Sequence, residues 1–237
     1  MSLPVAILAG GLATRLWPIT ERIPKSLVEV AGRPFAEHQL GLLREHDITD
    51  IVFLVGHLGE MVQDALGDGS RWGVRLRYVF DGSPPRGTGG AIRNALPELG
   101  SSFLVLYGDS FLECDYAAIE RSFIESGKAG LMTVCRNENQ WDRSNVLFAG
   151  GRITRYDKQI QTADMRHIDY GLGALHQSGF DGRGENDAFD LAAIYQELLA
   201  KGELAGFEVP DRFYEIGSPA GLEETRTHLI AKGTLAP

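Results

Sequence analysis

Gly10 and Gly11 stand just past an apolar run over residues 5–8, and two cations, Arg15 and Lys25, come soon after. An apolar strand that empties into paired glycines lets backbone N–H groups converge on an anion with no Cβ in the way. Arg15 and Lys25 add fixed positive charge. The combination suits the polyphosphate of a nucleotide. Two familiar phosphate motifs are excluded. A P-loop closes on Gly-Lys-Ser/Thr, whereas Gly11 is followed by Leu12-Ala13-Thr14-Arg15. The dinucleotide fingerprint needs a third glycine, and the matching position holds another residue.

Two further segments carry chemistry. Gly87-Thr88-Gly89-Gly90-Ala91 follows an apolar run and opens a helical stretch, so its N–H groups can approach a base or phosphate closely. Asp109 ends the run Leu104-Val105-Leu106-Tyr107-Gly108-Asp109. A carboxylate just past a buried strand suits Mg²⁺, which takes one or two carboxylates plus phosphate oxygens and water.

The elements that must position these groups are legible from hydrophobic pattern. Runs over 5–8, 50–55, 74–80 and 103–106 are rich in Val, Ile, Leu and Phe with little polar alternation, as strands buried on both faces read. Helical stretches lie between them at 34–45, 59–66 and 89–96, with Pro34 expected in a first turn. Alternating strand and helix predicts a doubly wound α/β sheet with ligands outside the carboxyl ends of the strands. The second half is less regular. It predicts a helix over 115–125, a strand over 129–135, a hairpin around Gly150-Gly151, a weakly alternating strand over 169–175, a helix over 189–199 and a strand over 204–209. Ser218 and Pro219 open a final helix.

The 237 residues suffice for one large α/β domain. The formal net charge of −9 argues against nonspecific nucleic-acid binding. No apolar run is long enough for a membrane span, and the N-terminus has no signal-peptide pattern. The two cysteines, Cys114 and Cys135, have no metal spacing and are expected as buried thiols in a cytoplasmic protein.

The pattern Leu8-Ala9-Gly10-Gly11, Thr14-Arg15-Leu16, then Pro24-Lys25-Ser26-Leu27 resembles the signature of the sugar-1-phosphate nucleotidyltransferases. The resemblance reaches from Val5 to about Leu222. It implies a Rossmann-like, mostly parallel mixed sheet of the nucleotide-diphospho-sugar transferase type, with residues 1–237 as one domain. It implies Mg²⁺-dependent transfer of a nucleotidyl group from a nucleoside triphosphate to a sugar 1-phosphate, with pyrophosphate released. Leu8, Ala9, Gly10, Gly11 and Thr14 would then wrap the nucleotide, Arg15 hold the triphosphate and Lys25 the phosphates. Gly87 and Thr88 would pack on base and ribose, with Asp81 nearest to the position that reads the base. Asp109 and Glu215 would hold the metal, Glu215 standing where the family usually has Asp. Lys158 would clamp the sugar phosphate, and Asp169 and Gly171 would touch the sugar. Trp17 is expected to pack the base of the signature loop. Ala13 stands where the family usually has Gly, which costs about 1 kcal/mol or more if φ is positive there. Members often form homo-oligomers. Among compact members, Gly87–Ile92 tilts the reading toward the D-glycero-D-manno-heptose 1-phosphate guanylyltransferases. The N-acetylmuramate 1-phosphate uridylyltransferases, phosphocholine-type cytidylyltransferases and a non-catalytic sugar-nucleotide-binding protein remain alternatives.

Overall fold

Strand and helix segments alternate through the first half of the chain, and a computed structural model, describing residues 2–184 and 186–233, shows how they assemble. Nine strands form one sheet: β1 (Val5–Ala9), β2 (Asp50–Val55), β3 (Arg75–Phe80), β4 (Ser102–Tyr107), β5 (Gly130–Arg136), β6 (Val146–Ala149), β7 (Arg152–Tyr156), β8 (His167–His176) and β9 (Leu204–Val209). The α-helices among the described residues are α1 (Phe35–Glu45), α2 (Gly59–Leu66), α3 (Gly87–Leu99), α4 (Tyr116–Ser126), α5 (Leu191–Ala200) and α6 (Pro219–Ala231).

β1 lies parallel between β2 and β4, and β2 pairs in parallel with β3. β8 runs antiparallel between β4 and β5, and β9 returns parallel to β5. The β6–β7 hairpin turns through Gly150 and Gly151, both at positive φ, and its Val146 meets His167 of β8. Ile7, Phe53, Leu104 and Leu106 are almost fully buried, as residues covered on both faces must be. Leu40, Phe53 and Ile119 belong to the core on one face of the sheet, and Ile92, Val105 and Ile194 to the core on the other. Apolar burial on both faces is what fixes a doubly wound sheet. A third cluster, with Phe35, Ile216 and Leu222, seats α6.

Asp115, Asp190 and Ser218 cap α4, α5 and α6, accepting from Ala118 N, Ala192 N and Gly221 N. Several boundaries differ from expectation. Pro34 precedes α1 as its cap instead of entering the first turn. α3 begins at Gly87 and runs through Pro97 to Leu99. β8 has ten residues and lies inside the sheet, although its sequence alternates weakly, because Gly171 and Gly173 interrupt the apolar pattern. Two two-residue pairings were not foreseen. One of them, Ser110–Phe111 against Tyr214–Glu215, matters for the site. Cys114 and Cys135 are buried and unpaired. Among the described residues no helix is long and apolar enough to cross a membrane.

Candidate active site

The carboxyl ends of β1, β2, β3 and β4 open together on a cavity of about 290 Å³. Close backbone approach makes this possible. A Cβ on Gly108 would stand 2.5 Å from Leu8 O, and Gly108 N donates to that oxygen at 3.0 Å. Leu8, Ala9, Gly10, Gly11, Lys25, Asp81, Gly87, Thr88 and Asp109 all line the cavity, with Leu54, Pro85 and Ala91 supplying apolar wall. Two buried polar atoms there have no partner: Asp81 Oδ1 and Ser26 Oγ. Unpaired polar atoms in a dry wall are costly, and a bound ligand that satisfies them recovers that cost. Burial raises the Asp81 carboxyl to about 6, against a smaller opposing pull from Arg86.

A second, wider cavity of about 660 Å³ adjoins the first and shares Tyr107 and Asp109 with it. Arg15, Lys158, Asp169, Gly171 and Glu215 line it. Lys158 Nζ donates to Tyr107 Oη at 3.1 Å, at the junction of the two spaces. Asp169 accepts from Tyr156 Oη at 3.1 Å and from Gly171 N at 3.1 Å. Burial raises its pKa, and Lys158 opposes that shift. The Tyr107 hydroxyl is held neutral, first by burial and then by Asp169, Asp190 and Asp109 nearby.

The turn after β4 is tied down from two sides. Gln39 on α1 donates to Tyr107 O and Ser110 O, and Ile216 N donates to Asp109 O at 2.9 Å. The Ser110–Phe111 pairing with Tyr214–Glu215 thus brings Glu215 beside Asp109. Gly217 marks their meeting point. A Cβ there would stand 2.5 Å from Glu215 Oε2, 3.1 Å from Asp109 Oδ2 and 3.3 Å from Arg15 Nη2. Lys25 Nζ forms an ion pair with Asp109 Oδ2 at 2.9 Å.

The nucleotidyl transferase family model matches residues 5–144. The chain belongs to this family. A Neisseria meningitidis N-acetylmuramate alpha-1-phosphate uridylyltransferase is 41% identical over 224 residues, 93% of this chain and 95% of the relative. A Campylobacter jejuni D-glycero-alpha-D-manno-heptose 1-phosphate guanylyltransferase is 25% identical, over 90% of this chain and 94% of the relative. Among solved structures, HddC from Yersinia pseudotuberculosis complexed with GMP-PN superposes with a TM-score of 0.78 at 24% identity, covering 96% of this chain and 99% of that one. The nucleotide-diphospho-sugar transferase fold expected from the signature is therefore the fold of this nucleotidyltransferase.

The carboxylates of this nucleotidyltransferase suit a divalent cation. Asp109 and Glu215 converge, and no cluster of three His, Cys, Asp or Glu that could cage a metal exists among the described residues. Two carboxylates with room for phosphate oxygens is the donor set Mg²⁺ favours. Glu215 is already braced, accepting from Gly217 N and from Ser218 Oγ.

Three local expectations are revised. Thr14 is exposed on the loop and lines neither cavity. Trp17 is 57% exposed; Leu16 and Thr20 anchor the loop instead, Thr20 Oγ1 donating to Ala13 O at 2.7 Å. Gly89 and Gly90 do not offer their N–H groups to a ligand, because both donate to Phe189 O. Thr88 Oγ1 accepts from Leu191 N, so this glycine segment also serves as the seat for residues 187–190. Ser26, Tyr107, Asn145, Trp141, Arg143 and Phe213 line the cavities without having been singled out as site residues. Ser26 stood inside the signature, beside Lys25, and was legible there. Tyr107 is the last residue of β4, and the others come from the irregular second half.

Proposed function

We propose that this nucleotidyltransferase moves a uridylyl group from UTP to N-acetylmuramate 1-phosphate. The observation that carries this reading is the pair of cavities meeting at Tyr107 and Asp109, one narrow and largely apolar, the other wide and polar. The identity of 41% with a relative of that activity, against 25% for the heptose enzyme at similar coverage, supports these substrates over the heptose pair. The glycines of Gly87–Ile92, which favoured the heptose group, serve packing against residues 187–190 and so say little about the sugar. Asn145 and Asp169 on the wide cavity's wall are the hydroxyl partners that a choline pocket would lack.

In this reading the uracil enters the narrow cavity, where ionised Asp81 accepts its N3–H. Arg15 and Lys25 hold the triphosphate, Lys25 exchanging Asp109 for phosphate oxygens. Lys158 holds the incoming phosphate at the junction. Asp109 and Glu215 would hold Mg²⁺, which supplies charge neutralisation for the phosphates. A sugar-phosphate oxygen then attacks the α-phosphorus in line and pyrophosphate leaves. The attacking group is already an anion, so no base is required. Positioning and charge neutralisation carry the catalysis.

Pyrophosphate release measured across the four nucleoside triphosphates and a panel of sugar 1-phosphates plus phosphocholine tests this. UTP with N-acetylmuramate 1-phosphate is expected to give the highest kcat/KM. A higher value with GTP and heptose 1-phosphate overturns the substrate assignment. Nucleotide binding without turnover of any pair overturns catalysis itself.

A further inference from the structure

The wide cavity holds one cation that the phosphate chemistry does not use. Arg143 lines it, and its guanidinium makes no ion pair and no side-chain hydrogen bond among the described residues. The neighbouring Asp142 does not neutralise it; Asp142 Oδ1 accepts from the backbone N of Arg143 at 2.7 Å. The other cations lining this cavity are engaged elsewhere. Lys158 is fixed at the junction by Tyr107 Oη, and Arg15 sits with Asp109 and Glu215 around Gly217.

Arg143 is also presented on a braced loop. Asn137, 1% exposed, donates from Nδ2 to Asp142 O and Ser144 Oγ, and its Oδ1 accepts from Trp141 N. Ser144, 2% exposed, closes the loop by exchanging hydrogen bonds with Asn139. Trp141 packs edge-on against Phe213, with the Arg212 guanidinium over its ring. A loop held by buried polar groups loses little further freedom when it binds, so the backbone that carries Arg143 is pre-organised.

We propose that Arg143 is the specificity residue that recognises a second anion on the sugar, a carboxylate, through a charge-assisted and bidentate pair. This deepens the N-acetylmuramate reading and rests on it, since that sugar carries a lactyl carboxylate besides its phosphate. The planar fork of arginine matches a carboxylate, and a neutral sugar leaves it unused. Asn145, two residues on, has its Oδ1 engaged by Asp169 N, so its amide group is the donor it offers to the same sugar.

The test compares the wild-type protein with Arg143→Gln and Arg143→Lys, using UTP and either N-acetylmuramate 1-phosphate or N-acetylglucosamine 1-phosphate. The second sugar lacks only the lactyl acid. Arg143→Gln is expected to lower kcat/KM for the acidic sugar about 10- to 100-fold, the range of one charged hydrogen-bonded contact, chiefly through KM. The neutral sugar is expected to change less than about twofold, and Arg143→Lys to recover part of the loss. An equal fall for both sugars, or no change for either, overturns the role of Arg143 while leaving the substrate reading intact. A wild-type preference for the neutral sugar overturns both.

Discussion

The two halves of the cleft are built on different principles. The narrow half, which the proposed function gives to the nucleotide, sits at the ends of four parallel strands, of which β1, β2 and β4 are largely buried while β3 is partly exposed. Its walls are backbone, glycine and aliphatic side chains, and two buried polar atoms in them, Asp81 Oδ1 and Ser26 Oγ, have no partner. The wide half, which the proposed function gives to the sugar, is assembled from an antiparallel strand and the loops around it. Its walls are charged and hydrogen-bonded to one another. Phosphates, which every nucleoside triphosphate shares, can be held by backbone geometry, whereas a particular sugar is read by side chains on loops.

The sharpest way to break this contrast is at the residue both halves share. Asp109→Ala is expected to lower kcat by about 1,000-fold or more, the loss of several kcal/mol of charge stabilisation. UTP binding followed by calorimetry should survive better than turnover followed by pyrophosphate release. Lys158→Met belongs to the sugar half alone. It is expected to raise KM for the sugar phosphate about 100-fold and leave the UTP Kd within about twofold; comparable damage to UTP binding would merge the two halves.

Glu215 probes how much the departure from Asp matters. Glu215→Ala is expected to cost about 100-fold in kcat, and Glu215→Asp less than about tenfold. The shorter side chain forfeits the bonds from Gly217 N and Ser218 Oγ but keeps a carboxylate beside Asp109. An Asp variant as inactive as the Ala variant would show that Glu215 serves its own loop and not the metal.

Asp81 gives the nucleotide half a pH signature. Its folded pKa is raised to about 6 by burial, above the ordinary carboxylate value of 3.8, so the folded protein favours the protonated form. Stability from this group is therefore present at acid pH and lost as pH rises from about 4 through 6. UTP affinity should move oppositely, rising through the same window as the carboxylate ionises to accept a base N–H. Asp81→Asn is expected to flatten both profiles in thermal melts and binding titrations; unchanged profiles would separate Asp81 from the base.

The smallest effect concerns the signature loop. Ala13 has φ 51° and ψ 37°, the left-handed conformation that glycine adopts without strain. Ala13→Gly is expected to stabilise the protein by up to about 1 kcal/mol, read as a higher midpoint in denaturant.

Legibility followed the same division. β2 and β9 were readable to the residue, because a short run of mostly apolar residues bounded by polar ones and too short for a helix reads as a strand. β8 was blurred, because Gly171 and Gly173 break its pattern where the backbone passes close to neighbouring side chains. Asp81 and Asp109 stood in recognisable contexts just past strands, and Lys25 in the Pro24-Lys25-Ser26-Leu27 part of the signature. Arg143 and Trp141 did not, because nothing local in Asn137–Asn145 tells which way its loop faces.

By itself the sequence determined the alternation that winds the sheet, the glycine turn after β1 and the family reaction, since these rest on local pattern and short motifs. The tertiary structure decided what those motifs could not. It brought Glu215 to Asp109 through a two-residue strand pairing, closed Gly89 and Gly90 against Phe189, and put Arg143 on the wall of the wide cavity. Each joins residues far apart in the chain, and which distant residues meet is set by packing of the whole sheet, not by any window of sequence.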